Sequence, residues 1–261
     1  MTSSLSLHNA ASDDVTRLLA SITEDIERDG FAFRRGSDMR SILRARGLDA
    51  WPAFASSWDD LGLDLYMADG GRYRRRRFAA FDAVSGTVTR KPHQPHYQSR
   101  DYNPLNGDIE RWFEPVSDAI CANGFMRGIL GVCTTIFDAA SPDGKAANWH
   151  IEMHQFRIEA DSGQSGLATP EGAHRDGVDW VCVLLVDRRN VSRGVTQIFD
   201  PGGRSLGEFT LTDPLDTVFL DDRLVLHGVT PITPMDPASK ASRDVLVLTF
   251  RRDELAPRPA L

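Results

Sequence analysis

Apolar residues recur every three or four positions in the first part of the chain and gather into short runs between turns in the last hundred residues. Over 12–29, Val15, Leu18, Leu19, Ile22 and Ile26 share one face and predict an amphipathic helix. Ser12 reads as its N-cap, Asp13 and Asp14 fill its first turn, and Gly30 stops it. Phe31-Ala32-Phe33 reads as a short strand, and 37–46 and 50–65 as further short helices. The segment 72–81 carries Arg74, Arg75, Arg76 and Arg77 in succession and reads as a strand with arginines on alternate sides. The stretch 93–106 is rich in Pro, His, Tyr and Asn and predicts an irregular loop. Over 114–137, Val116, Ile120, Phe125, Ile129, Val132 and Ile136 form the buried stripe of the longest predicted helix, weakened by Gly124 and Gly128.

After about residue 147 the pattern changes. Short apolar runs at 148–160, 179–187, 194–200, 207–211, 216–220, 224–226 and 244–250 alternate with turns, Pro201-Gly202-Gly203 being the strongest turn signal. Many short, evenly spaced strands suggest a sandwich or barrel. The Gly/Ser-rich segment 161–173 predicts a mobile loop, and the tail after 256 is short and contains Pro. The chain therefore reads as one domain over 1–261: a helical part (1–70), a strand, loop and long helix (71–146), and a β core (147–252). No internal repeat is present.

Composition narrows the functions available. The 261 residues carry 37 acidic and 30 basic side chains, a formal charge of −7. That balance disfavours a sequence-independent nucleic-acid binder, which needs many cations facing phosphates. Of the basic residues 27 are Arg and 3 are Lys, so planar forks able to grip carboxylates are plentiful. The longest apolar run, 180–186, is far too short to span a bilayer. The N-terminus has neither a basic start nor a long apolar stretch, so a cytoplasmic protein is expected. Cys121, Cys133 and Cys182 are scattered, with no CxxC pair, and read as buried small hydrophobes.

The chemistry concentrates at Gly172-Ala173-His174-Arg175-Asp176-Gly177. In extended chain His174 and Asp176 point to one side and can aim an imidazole and a carboxylate at a common point. His227 follows the apolar run Leu224-Val225-Leu226, and Arg243 opens the strand 244–250. Two His and one carboxylate on one face of a metal leave the opposite face open, which suits a non-haem Fe(II) that must take up a cosubstrate and O2. An Arg in the same barrel suits a dicarboxylate cosubstrate. Taken singly, a His at a strand end or an Arg before a strand is more often structural; the ordered set raises the reading.

These residues carry a resemblance. His-Gln-Phe-Arg at 154–157, His-Arg-Asp-Gly at 174–177, Asp-Pro-Leu-Asp-Thr at 213–217, His-Gly-Val-Thr-Pro at 227–231 and the strand 243–250 resemble the 2-oxoglutarate/Fe(II)-dependent dioxygenases of the bacterial L-isoleucine dioxygenase type. Tyr-Gln-Ser-Arg-Asp-Tyr-Asn at 97–103 and the basic strand at 72–78 extend the resemblance to roughly 70–252, while 1–65 find no match. It implies an α+β, mainly β fold: a double-stranded β-helix (jelly-roll, cupin-like) core with N-terminal helices packed on it. It implies His174, Asp176 and His227 as iron ligands and Arg243 as partner of the distal carboxylate of 2-oxoglutarate. It also implies hydroxylation of a small L-amino acid or derivative with release of succinate and CO2. Asp176, where Gly or Ala would suggest a halogenase, implies hydroxylation.

Further candidates are His154, Gln155 and Arg157. Gln155 and Arg157 share parity, opposite Phe156 and Ile158, and are expected to face the barrel interior, with Arg157 near a substrate carboxylate. The plain alternative pairs Arg157 with Glu159 or Asp161. His93 and His96 sit in a loop that could cap the site, without the ligand-rich context a second metal needs. Trp180 and Phe199 read as core rather than substrate-stacking residues. The expected partner is a small molecule, not nucleic acid or membrane, and a homodimer stays open. A catalytically silent jelly-roll ligand-binding protein is the main competitor. A zinc hydrolase ranks below it, since no HExxH segment is present.

Overall fold

The computed structural model describes the backbone of residues 3–102, 105, 107–142 and 144–253 and the side chains from residue 13 onward within these ranges. Asn103, which ends the 97–103 motif, and the tail after 256 lie outside the described residues. The elements are α1 (Ser3–Asp29), β1 (Phe31–Arg34), α2 (Gly36–Leu43), α3 (Trp51–Ala55), β2 (Arg74–Val84), β3 (Thr87–Arg90), α4 (Asp118–Cys121) and α5 (Gly124–Ala140). Then follow β4 (Trp149–Ala160), β5 (Trp180–Arg189), β6 (Val191–Arg193), β7 (Thr196–Phe199), β8 (Ser205–Phe209), β9 (Thr217–Asp221), β10 (Leu226–Val229), β11 (Ile232–Pro234) and β12 (Ala241–Arg252).

A seven-stranded antiparallel sheet in the order β1-β9-β5-β12-β4-β2-β3 forms the frame. A three-stranded sheet, β10-β7-β8, and a pair, β11-β6, complete the β-helix. Alternation along the central strands gives the large sheet two working faces. Ile151 and Met153 of β4, Cys182 and Leu184 of β5, and Leu246, Leu248 and Phe250 of β12 join Ile22 and Ile26 of α1 and Ile129, Cys133 and Phe137 of α5 in one core. The opposite parity, Glu152, His154, Phe156 and Ile158 on β4 with Arg243, Val245, Val247 and Thr249 on β12, lines a cavity. Helices thus stiffen one face so that the other can carry polar groups.

The apolar pattern located most elements, and the departures have local causes. α1 begins at Ser3, so Ser12 lies inside it; nothing between the two is Pro or Gly. The 50–65 helix is cut to α3 and a 3-10 turn, because the Ser56 and Ser57 hydroxyls donate to the carbonyls of Ala53 and Phe54 at 3.1 and 2.6 Å. The 114–137 helix is broken at its start. Residues 114–116 run beside β2, with Phe78 N to Glu114 O and Val116 N to Phe78 O both 2.9 Å. Ser117 then caps α4, and Asn123 caps α5 by accepting from Phe125 N at 2.8 Å. Gly128 has a packing reason: a Cβ there would lie 1.8 Å from the Arg46 carbonyl oxygen. β3, β6 and β11, three or four residues each, were too short for the pattern to show.

Loop 161–173 is tied down rather than free. Asp161 Oδ1 accepts from Gly163 N and Gln164 N, Gly166 pairs with Ile232, and Thr169 Oγ1 meets the backbone of Val229. Trp180 is core, stacked on Phe137 with ring centroids 5.3 Å apart. All three cysteines are free and buried. Among the described residues no helix is long and apolar enough to cross a membrane.

Candidate metal centre and its cavity

The cavity, about 320 Å³, lies between the large sheet and the β10-β7-β8 sheet, under residues 96–102. His174 precedes β5 and His227 sits in β10; their backbones are bonded both ways, His174 N to His227 O at 3.0 Å and the reverse at 2.9 Å. That bridge sets the two rings 4.7 Å apart. Asp176 lies between them: Oδ1 is 3.5 Å from His174 Nε2 and Oδ2 is 3.6 Å from His227 Nε2. The three ligand atoms lie within 4.8 Å of one another, so one ion could touch all three.

The surroundings tune these groups. His174 Nδ1 donates to the Gly172 carbonyl at 3.1 Å, which fixes the ring so that Nε2, the atom free to bind a metal once deprotonated, faces Asp176. Burial would raise the Asp176 carboxyl, but the His174 hydrogen bond and the His227 and His174 charges hold it well below the usual range. Burial would lower His174, but Asp176 and Glu171 raise it to about 9. Burial, with the His174 charge, lowers His227 to about 4.

Asp222, which the sequence reading missed, shapes this loop. Its carboxylate accepts from the backbone N–H of Asp176, Gly177 and Val178 at 3.0, 2.8 and 3.1 Å. Burial and the Asp176 charge push it up to about 7. The only sequence signal was the acidic pair Asp221-Asp222 closing an apolar strand. Asp222→Ala frees three N–H groups and lets Asp176 drift. Metal affinity is expected to fall about 10–100-fold, as for other outer partners of ligands, measured by Mn(II) titration.

Arg243 enters the cavity from β12. It is almost fully buried, and Nε and Nη2 find no hydrogen-bond partner among the described residues. Burial and the nearby Arg188 charge push it down to about 10. A buried guanidinium with two unanswered donors beside a second cation is stabilised by an anion, and a carboxylate matches its fork. Two imidazoles, one carboxylate and this arginine therefore fit iron(II) with an α-keto dicarboxylate.

Gln155 and Arg157 do not face the cavity, contrary to expectation. They sit on the helix side of β4. Gln155 Nε2 donates to Ser57 Oγ at 2.7 Å, and Arg157 makes a two-pronged pair with Asp244 at 2.7 and 2.6 Å. Its partner is the cross-strand neighbour on β12, neither Glu159 nor Asp161. The interior face instead carries Glu152 and His154. His93 stays outside the cavity lining and contacts Trp112, whereas His96 reaches in.

His96, Glu152 and His154 do form a second cluster with metal-like spacing. Its protons argue against an ion. Arg76 Nη2 lies 2.7 Å from His154 Nδ1 and Lys91 Nζ lies 2.9 Å from His150 Nδ1. Both cations can only donate, so each histidine carries its proton on Nε2, toward Glu152. His96 Nδ1 adds a third contact to Glu152 at 2.8 Å. Burial alone would raise Glu152; the His96, His150 and His154 contacts hold it well below the usual range. His154 falls to about 3 through burial and Arg76. A histidine depressed in the folded state binds fewer protons there than when unfolded, so stability drops as pH falls below about 6.5. His154 alone is expected to cost about 2 kcal/mol between pH 6.5 and 5. Urea unfolding at the two pH values checks this, and His154→Gln should flatten the difference.

A jelly-roll with two His, one Asp and a buried Arg in one cavity defines a non-haem iron oxygenase of the 2-oxoglutarate class. The 2OG-Fe dioxygenase family matches residues 55–249, and the chain belongs to it. Enzymes of this family use Fe(II), 2-oxoglutarate and O2. A crystal structure of a BsmA homologue from Methylobium petroleophilum is 38% identical with a TM-score of 0.81, covering 93% of this chain and 96% of that one. The 3(1)-hydroxy-L-isoleucine 4-dioxygenase of Pantoea ananatis is 25% identical over 88% of this chain and 94% of its own length. The L-isoleucine-4-hydroxylase of Bacillus thuringiensis is 26% identical over 61% of this chain and 66% of its own.

Proposed function

We propose that this dioxygenase hydroxylates an unactivated C–H bond of a small L-amino acid or derivative, releasing succinate and CO2. The single observation that carries the reading is one cavity holding the His174–Asp176–His227 face and the unanswered Arg243 guanidinium. The names of the Pantoea and Bacillus relatives support the amino-acid substrate.

In this reading His174, Asp176 and His227 hold iron, and Arg243 takes the distal carboxylate of 2-oxoglutarate. Iron with 2-oxoglutarate and O2 supplies the oxidant for C–H hydroxylation. The chain supplies position: Asp222 holds the Asp176–Val178 backbone, and the His174–His227 bridge fixes the angle between the imidazoles. Gln98, donating to the Asp176 carbonyl at 2.9 Å, ties the covering loop to the metal face. Val183, Val245 and Val247 give the cavity an apolar wall that disfavours water near the reacting carbon.

The test is incubation with Fe(II), ascorbate, 2-oxoglutarate and a panel of L-amino acids. The expected result is succinate formation with at least one member and a product heavier by one oxygen. No succinate above the background without substrate, across the panel, would contradict the reading.

A further inference from the structure

The cavity holds unanswered groups of both signs that neither iron nor 2-oxoglutarate uses. Arg76 and Arg111 line it, are almost fully buried, and each keeps an Nε with no partner among the described residues. Arg76 is clamped between rings, its guanidinium carbon 3.8 Å from the Phe113 centroid and 4.6 Å from that of Phe156. Arg111 Nη2 donates to Gln98 Oε1 at 3.4 Å. The neighbouring Arg74 differs, being neutralised by Asp64 at 2.7 Å. On the acidic side stands Glu171, at the cavity end of loop 161–173. Its Oε1 is 3.4 Å from His174 Nε2, and its buried Oε2 has no partner among the described residues. Glu152 cannot serve as readily, since three imidazoles already occupy it.

We infer that Arg76 and Arg111 form a clamp for the α-carboxylate of the substrate, and that Glu171 accepts its α-ammonium group. The inference rests on the proposed amino-acid hydroxylase reading and adds the residues that would select a free amino acid. Orphaned groups of both signs support a zwitterion rather than an anion: Arg76 and Arg111 each keep an unanswered Nε, and Glu171 keeps an unanswered Oε2. A ligand with one charge of each sign answers both sides at once. Ile158, Val178 and Val229 line the remaining wall, so the side chain it accepts is aliphatic. Gln98 links the clamp to the metal face, because it accepts from Arg111 and donates to the Asp176 carbonyl.

Calorimetry of the full chain loaded with Mn(II) and 2-oxoglutarate tests this without turnover. The probes are L-isoleucine, L-leucine, L-valine, L-isoleucinamide and N-acetyl-L-isoleucine. At least one free amino acid should bind, and blocking either charged group of isoleucine should weaken binding about 10–100-fold. Arg111→Lys, which keeps the charge and loses the fork, should weaken free amino acids and leave the amide unchanged. Glu171→Gln, nearly isosteric, should weaken free amino acids with unchanged Mn(II) affinity, and thermal melting confirms that both variants are folded. The inference is overturned if no free amino acid binds the parent, or if the amide and the acetyl derivative bind as well as isoleucine. It is also overturned if Glu171→Gln lowers Mn(II) affinity and spares amino-acid binding. Failure of the broader reading looks different: amino acids bind with this charge dependence, but no succinate forms when iron and O2 are supplied.

Discussion

Asp176→Ala is expected to abolish amino-acid-dependent succinate release and leave the protein folded. Among the described residues Asp176 is the carboxylate that reaches both imidazole Nε2 atoms, 3.5 and 3.6 Å away. Losing even an outer partner of a metal ligand costs roughly 10–100-fold; losing the ligand itself should exceed that, with Fe(II) content falling in step. The fold should survive, since Asp176 sits in a loop ahead of β5 and the core of α1, α5 and the large sheet does not include it. Removing the buried carboxylate relieves its desolvation cost while His174 and His227 lose their counter-charge; the two effects oppose, so melting should shift little. Activity equal to the parent would remove Asp176 from the metal site.

The second large effect is Arg243→Lys. Lysine keeps the charge and loses the planar fork. Because Arg243 Nε and Nη2 find no partner among the described residues, its donors are free for a carboxylate. The apparent affinity for 2-oxoglutarate should fall roughly 10–100-fold, or about 1.5–3 kcal/mol, with kcat at saturating 2-oxoglutarate largely kept. Steady-state titration of 2-oxoglutarate reads both. An unchanged KM would place the clamp elsewhere, Arg188 being the adjacent guanidinium.

The β half was legible from its apolar runs, and the set His174, Asp176, His227 and Arg243, which the fold brings into one cavity, stood out by its place beside them: His174 and Asp176 precede the 179–187 run, His227 follows 224–226 and Arg243 opens 244–250. Parity on β4 was not legible. Both faces of that strand are covered, one by helices and one by the cavity wall, and both mix polar with apolar residues. Sequence parity could pair Gln155 with Arg157, but could not say which face held helices. Arg157 also has a distant partner, Asp244, visible only once β4 and β12 are set in register. Glu171 was hidden inside a Gly/Ser-rich loop whose composition suggests mobility, although backbone pairing of Gly166 with β11 and the Thr169 hydroxyl on the β10 backbone fix it. Asp222 acts through backbone N–H groups 44 to 46 residues away, a contact that leaves no spacing motif.

The most direct test of the account is an anaerobic titration of the metal-free protein with Fe(II) and then 2-oxoglutarate, followed by visible absorption. Chelation of an α-keto acid to ferrous iron gives a charge-transfer band. The account predicts that band for the parent, its loss in Asp176→Ala, and its appearance in Arg243→Lys only at higher 2-oxoglutarate. No band in the parent, or an undiminished band in Asp176→Ala, would contradict it.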